Sequence, residues 1–109
     1  MNTSIRRWSA LALLAGVSYA AGVAAAEHVV GQKNKQFTVD EMTIAVGDSV
    51  SFANEDKFHH NVFSLSDAAT FDLGSYDQGE SKSVVFDQAG TVEVECAIHP
   101  RMRMTIHVK

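Results

Sequence analysis

The sequence has few residues of the types that cross-link a small domain or interrupt its strands and helices. It contains one cysteine and one proline in 109 residues, and also a single tryptophan. A single cysteine excludes an internal disulfide framework and a thiolate-rich zinc site. Basic residues are also few, nine against thirteen acidic ones, so no cluster of Lys and Arg can neutralise a run of phosphates. A nucleic-acid-binding protein is therefore not expected.

The length and the hydrophobic content favour one folded domain. A chain of 109 residues has no room for a second independent core. A hydrophobic fraction of 46% argues against a disordered chain.

The first 26 residues differ from the rest in composition. Arg6 and Arg7 precede an uncharged run from Trp8 to Ala26 that is rich in Ala and Leu. A basic start, an apolar stretch and small residues at 24–26 are typical of a cleaved secretory signal peptide. A retained membrane anchor is the less favoured alternative, because the run is near the lower length limit for a span. We expect residues 1–26 to be removed, by the general secretory or the twin-arginine route, without stable membrane insertion afterwards.

Residues 27–109 alternate apolar and polar side chains in short segments, as β-strands do. Turn signals such as Gly47-Asp48 and Ala89-Gly90 separate the segments. The pattern predicts an all-β domain, a small antiparallel β-sandwich of about seven to eight strands. The alternating segments are 37–46, 50–52, 60–63, 83–86, 91–95 and 104–108.

Groups that can hold a metal are concentrated at His59-His60 and in the segment 96–102. The second place offers a thiolate, an imidazole and a thioether within seven residues, at Cys96, His99 and Met102. Two His and one Cys in a trigonal plane with a long axial Met form the ligand set of a blue-copper electron-transfer site. The thiolate suits Cu(I), and the weak thioether bond leaves the geometry nearly unchanged when one electron moves. The pattern therefore favours a copper site.

These residues resemble the cupredoxins, and within that family the plastocyanin and amicyanin branch, most of all the amicyanins. The resemblance covers essentially all of residues 27–109. The motifs that carry it are the turn Val46-Gly47-Asp48, the motif His60-Asn61-Val62, the turn Ala89-Gly90-Thr91 and the C-x-x-H-P-x-M-R spacing of residues 96–103. The family implies a Greek-key β-sandwich with one type 1 copper ion at one end and a role as a soluble electron carrier.

The resemblance also assigns the metal ligands. His60, which precedes Asn-Val, matches the first ligand, whereas His59 does not. Cys96, His99 and Met102 match the three ligands of the loop, so the expected metal site is His60, Cys96, His99 and Met102. Asn61 matches a family residue whose backbone amide donates a hydrogen bond to the ligand sulphur and whose side chain binds the neighbouring loop.

Two methionines are candidates for the axial ligand, Met102 and Met104. Met104 stands at the longer spacing that is seen in plastocyanin-like loops. It also alternates with Ile106 and Val108, which places it in the last strand and favours Met102 as the axial ligand.

The functional prediction is a periplasmic one-electron carrier that is monomeric and not an enzyme. Its expected partners are redox proteins, such as a c-type cytochrome, a dehydrogenase or an oxidase or reductase, that dock transiently near His99. We expect an apolar patch of Ala97, Pro100 and Met104 to frame His99. The net charge of −6 in residues 27–109 favours a partner with a basic surface. The main alternative is a periplasmic protein that delivers or buffers copper. A catalytic copper domain is disfavoured, because it would need an open coordination position.

Overall fold

The computed structural model describes residues 24–109. Most of the expected signal peptide, residues 1–23, lies outside the described residues. In residues 24–109, no helix is long and apolar enough to cross a membrane. The strands are β1 (Glu27–Lys33), β2 (Gln36–Phe37), β3 (Glu41–Ile44), β4 (Ser49–Asn54), β5 (His60–Ser66), β6 (Ala69–Tyr76), β7 (Ser81–Val85), β8 (Gly90–Glu95) and β9 (Arg103–Val108).

The nine strands form two sheets. One sheet has the order β2-β1-β4-β7 and the other has the order β3-β9-β8-β5-β6. The predicted all-β sandwich is confirmed, with one strand more than the upper expectation because β2 is a separate two-residue strand.

Period-two alternation explains which faces meet. Every second residue of β4 and β9 is buried, and the buried side chains of both sheets form one hydrophobic core. This core includes Phe52 of β4 and Ile106 of β9, both with no exposed surface. Phe37 and Phe71 pack near Phe52, with ring centroids 6.2 and 6.5 Å from its own.

The expected antiparallel sandwich is wrong in two places, because each sheet contains one parallel pair. Strand β1 runs parallel to β4, and β3 runs parallel to β9. Alternation reports which face of a strand is buried but not the direction of its neighbour, so the sequence pattern could not show this. The pattern also missed β1 and the hairpin of β5 and β6, whose turn lies at residues 67–68.

The register of the central strands brings the two metal-binding segments together. Strands β5 and β8 are antiparallel, and Phe63 pairs with Glu95. Counting outward from this pair places His60, at the start of β5, beside the residues that follow Glu95 at the end of β8. The loop 96–102 then returns the chain to β9, which pairs along the whole of β8. One end of the sandwich therefore holds both segments.

Candidate metal centre

Three of the four expected ligands converge at this end of the sandwich. The Sγ atom of Cys96 lies 3.7 Å from Nδ1 of His60 and 3.8 Å from Nδ1 of His99. The two Nδ1 atoms are 3.1 Å apart. Among residues 24–109, this trio is the group of His, Cys and acidic side chains whose ligand atoms come close enough to hold one metal ion.

The spacing of these atoms fits a metal ion. Donors that bind one ion at about 2.0–2.3 Å with trigonal angles are themselves separated by roughly 3.5–3.8 Å. Both sulphur-to-nitrogen distances agree with this, and the nitrogen-to-nitrogen distance is slightly shorter. A thiolate with two imidazoles is also a donor set that binds copper in preference to a hard cation.

The loop that carries Cys96 closes on itself through two backbone hydrogen bonds. The amide of Met102 donates to the carbonyl of His99 at 2.9 Å, and the amide of Cys96 donates to the carbonyl of Met102 at 3.2 Å. These bonds return the chain to Cys96 before β9 begins. Met102 has no exposed surface, and the bond from the amide of Cys96 to its carbonyl keeps the backbones of the two residues close together.

The two methionines differ in their place in the chain. Met104 is in β9 and pairs with Val94 of β8, as its alternation predicts. Met102 precedes that strand and belongs to the loop. Its assignment as the axial ligand rather than Met104 stays a prediction. Met104 is only 2% exposed, so the expectation that it frames an exposed docking patch is wrong.

The two neighbouring histidines have opposite environments. His60 has no exposed surface, and its ring lies 4.8 Å from the ring of His99. His59 is exposed and pairs with the carboxylate of Asp77. The structure therefore brings His60 to the candidate site and leaves His59 at the surface.

The side-chain bond expected for Asn61 is present. Its Oδ1 atom accepts a hydrogen bond of 2.8 Å from the amide of Ala97, the residue after Cys96. This bond joins the start of β5 to the ligand loop. The expected bond from the backbone amide of Asn61 to the sulphur of Cys96 stays a prediction.

Asp56 is a site residue that sequence reasoning missed. Its carboxylate is buried and accepts a hydrogen bond of 2.7 Å from Nε2 of His60. It also accepts from the amides of Asn34 and Lys35, at 2.7 and 3.0 Å. Burial raises the pKa of Asp56, but the bond from His60 and the two amide bonds outweigh this and hold the pKa below its ordinary value. The ionised carboxylate fixes the proton of His60 on Nε2 and leaves Nδ1 free to bind a metal.

The turn between β1 and β2 supplies those two amides. Asn34 and Lys35 have φ angles of 56° and 59°, the left-handed conformation of a two-residue hairpin turn. In this conformation both N–H groups point at Asp56. Asn54 holds the other side, because its Oδ1 accepts from the amide of Asp56 and its Nδ2 donates to the carbonyls of Phe58 and Tyr76. An acidic residue four positions before the ligand His was the signal available in the sequence.

His99 lies closer to the surface than the other two donors. It is half-buried, and Phe58 packs against both imidazoles with ring-centroid distances of 5.3 Å. Burial lowers the pKa of His99, and the nearby His60 and Lys35 lower it further. A neutral imidazole binds metal, so this shift favours ligation at neutral and mildly acidic pH.

Comparison with known proteins agrees with this geometry. Residues 24–109 match the family described as copper binding proteins, plastocyanin/azurin family. The chain belongs to this family. Its cofactor is copper, and the predicted cupredoxin fold is confirmed.

Individual relatives point to one branch of the family. The chain is 31% identical to the methylamine utilization protein MauL of Methylorubrum extorquens, over 99% of this chain and 96% of that one. It is 29% identical to amicyanin of Paracoccus denitrificans, over 83% of this chain and 71% of that one. A solved structure of a reduced single-residue variant of amicyanin superposes with a TM-score of 0.71 and 29% identity, over 83% of this chain and 89% of that one.

An enzyme is also among the structural neighbours. A copper-containing nitrite reductase of Thermus scotoductus superposes with a TM-score of 0.71 and 26% identity, over 76% of this chain. The match spans only 22% of the reductase chain. This likeness therefore concerns one part of that enzyme.

Proposed function

We propose that the protein is a type 1 copper protein that carries single electrons between redox proteins in the periplasm. The observation that supports this most directly is the convergence of Cys96, His60 and His99 at one end of the sandwich, with His99 nearest the surface. Copper supplies the one-electron couple between Cu(II) and Cu(I). The residues around it hold the donors in place and bury His60 and Cys96.

The proposed equatorial ligands are Nδ1 of His60, Sγ of Cys96 and Nδ1 of His99. The proposed axial ligand is the sulphur of Met102, which is buried on the loop that carries two of the other ligands. Its thioether would be a weak donor beside the thiolate and the two imidazoles.

The donors are held in place by hydrogen bonds independent of the metal. Asp56 orients His60, Asn61 anchors the residue after Cys96, and the carbonyl of His99 is tied to Met102. A donor set that is held in this way moves little when the charge of the metal changes. Fast electron exchange requires such rigidity, whereas delivery of the metal to another protein requires ligands that release it.

The composition of residues 1–26 supports the periplasmic location. Residues 1–26 have the composition of a cleaved signal peptide, and an oxidising compartment is compatible with one buried cysteine that has no disulfide partner. Metal ligation would protect that thiol from oxidation. The proposed partners are redox proteins that dock transiently at the end of the molecule that carries His99, with this protein as a monomer.

The test is the visible and paramagnetic-resonance spectrum of residues 27–109 loaded with Cu(II). We expect an intense thiolate-to-copper absorption that disappears on reduction and returns on oxidation. Cys96→Ser should abolish this band, since a hydroxyl cannot supply the same covalent donor. His60→Ala should remove it too, whereas the matched control His59→Ala should keep it.

Metal exchange separates the carrier from the copper-handling alternative. A carrier should retain Cu(I) during a challenge with a chelator while it still exchanges electrons rapidly. Rapid loss of copper without a blue spectrum would reject the carrier and favour delivery or buffering.

A further inference from the structure

An open groove of about 690 Å³ lies beside His99. One wall consists of residues 34–37 and Asp40, and the other consists of residues 98–101 and Arg103. We call this the His99 groove. It adjoins the candidate metal centre, so a partner seated in it would approach the half-buried imidazole directly.

The charge of the His99 groove is opposite to the charge of the whole domain. Lys35, Arg101 and Arg103 line it, against the single carboxylate of Asp40. Residues 27–109 as a whole carry seven basic and thirteen acidic residues, a net charge of −6. Three of the seven basic residues therefore surround the site where electrons would leave or enter.

The cations of the groove are available to a partner to different degrees. Arg103 is 3.7 Å from Glu95 and is already partly neutralised. The ammonium group of Lys35 lies 5.4 Å from the ring centroid of Phe58, and the side chain is exposed. Arg101 is exposed, and within residues 24–109 it forms no ion pair. Lys35 and Arg101 are thus the two cations most open to a new contact.

Apolar surface accompanies these charges. Phe58 is 39% exposed and packs against His99, and Ile98 is 49% exposed in the wall of the groove. Pro100 is also exposed there. Large apolar side chains next to unpaired cations are typical of a transient interface, in which apolar contact supplies affinity and charge supplies orientation.

We propose that the redox partner docks an acidic segment of its surface into the His99 groove, with carboxylates on Lys35 and Arg101 and apolar contact on Phe58 and Ile98. This docking proposal rests on the proposed function. It assigns the partner an acidic docking surface, whereas the net charge alone would favour a basic one. Charges are screened beyond about 8 Å at physiological ionic strength. The local cations, rather than the distant carboxylates, therefore act on a surface that is nearly in contact.

The acidic faces of the domain affect the orientation in which the partner docks. An acidic partner surface that approaches one of these faces meets carboxylates at short range and is repelled, whereas at the His99 groove it meets cations and is attracted. Such a field selects the one docking orientation that places the partner next to the metal site.

A peptide titration tests this charge preference. Protein labelled with ¹⁵N and loaded with diamagnetic Cu(I) is titrated with hexaglutamate, with hexalysine and with inorganic phosphate while amide resonances are followed. We expect hexaglutamate to shift the amides of Lys35, Ile98 and Arg101 in a saturable manner. Hexalysine should leave these amides unchanged, and phosphate should shift them only weakly.

Charge removal then tests the two cations one at a time. Lys35→Gln or Arg101→Gln should weaken hexaglutamate binding several-fold, and the double variant should weaken it roughly tenfold, as expected for two exposed ion pairs. The control is Lys109→Gln, which removes the same charge at the other end of β9. This control should bind hexaglutamate like the unmodified protein.

Four results would overturn the proposal. These are the absence of hexaglutamate binding, hexalysine binding at the groove, hexaglutamate binding that is equally sensitive to Lys109→Gln, and phosphate binding as tight as hexaglutamate, which would make the groove a small-anion site. The titration involves no electron transfer. A protein that binds hexaglutamate but never shows a blue spectrum would refute the carrier function alone, and a blue protein that ignores hexaglutamate would refute the acidic partner alone.

Discussion

The imidazole of His60 donates from Nε2 to the carboxylate of Asp56 across 2.7 Å, and both side chains are buried. This pair connects the metal centre to the turn between β1 and β2, because Asp56 also binds the amides of Asn34 and Lys35. The position of one ligand therefore depends on two segments that lie far apart in the chain.

Asp56→Asn should lower the affinity for copper roughly tenfold to a hundredfold, as loss of a partner that orients a metal ligand does. The amide can still accept a hydrogen bond from Nε2 of His60, but it lacks the charge that makes His60 a stronger donor to the metal. Competition with a chelator of known affinity measures the change. Asp77→Asn, which alters the exposed carboxylate beside His59, is the control and should have no effect. Equal affinities for all three proteins would show that Asp56 has only a structural role.

Met102→Leu should raise the reduction potential, because loss of the axial thioether destabilises Cu(II) relative to Cu(I). Met104→Leu should leave the potential and the copper spectrum nearly intact. Met104 lies in β9, where it pairs with Val94, and its side chain belongs to the hydrophobic core. Voltammetry of both variants decides the matter. The reverse pair of results would transfer the axial role to Met104 and refute the assignment by loop spacing.

Asn61→Ser should shift the reduction potential and lower the free energy of unfolding by about 0.5–1.5 kcal/mol, the usual contribution of one hydrogen bond. The shorter side chain no longer reaches the amide of Ala97, so the segment that holds Cys96 loses its anchor to β5. Voltammetry and denaturant unfolding measure the two effects. Ser75→Ala, at the exposed strand partner of Asn61, is the control and should change neither. An unchanged potential in Asn61→Ser would exclude a role of this bond in tuning the metal.

Asp48 should make the stability depend on pH in the acid range. Hydrogen bonds from His28 and from the amides of Ala26 and Ala45 lower the pKa of Asp48 from 3.8 to about 2. Removal of residues 1–26 would take away the bond from Ala26 and leave those from His28, the largest cause, and Ala45, so the pKa of Asp48 stays lowered. Because the pKa is lower in the folded protein, the stabilisation is complete above about pH 4 and is lost as the pH falls through 2.

Acid unfolding of Asp48→Asn measures this contribution. The difference in free energy of unfolding from the unmodified protein should be largest above pH 4 and should shrink toward pH 2. Asp67→Asn, at an exposed turn, should show no such dependence. A difference that does not vary with pH would mean that the carboxylate contributes through its shape and not through its charge.

Much of this protein was determined by short-range features of the sequence. Alternating apolar residues specify strands such as β4 and β9, because a side-chain period of two exposes one face of each strand to the core. The donors Cys96, His99 and Met102 lie within seven residues, so one loop between two predicted strands brings them together. The resemblance to the cupredoxins then selected His60.

Tertiary structure decided what depends on residues far apart in the chain. The parallel pairing of β1 with β4 brings the turn at Asn34 and Lys35 beside Asp56, and no local pattern encodes that approach. The exposure of Phe58 beside His99 likewise depends on how two loops meet at one end of the sandwich.

Charge shows the same division. A sum over the sequence describes an acidic domain, because net charge does not depend on arrangement. Only the fold places Lys35, from the first hairpin, opposite Arg101, from the ligand loop, across one groove beside His99. Electrostatic recognition acts over distances comparable to the Debye length, so this local arrangement and not the sum determines which partner surface can approach the metal.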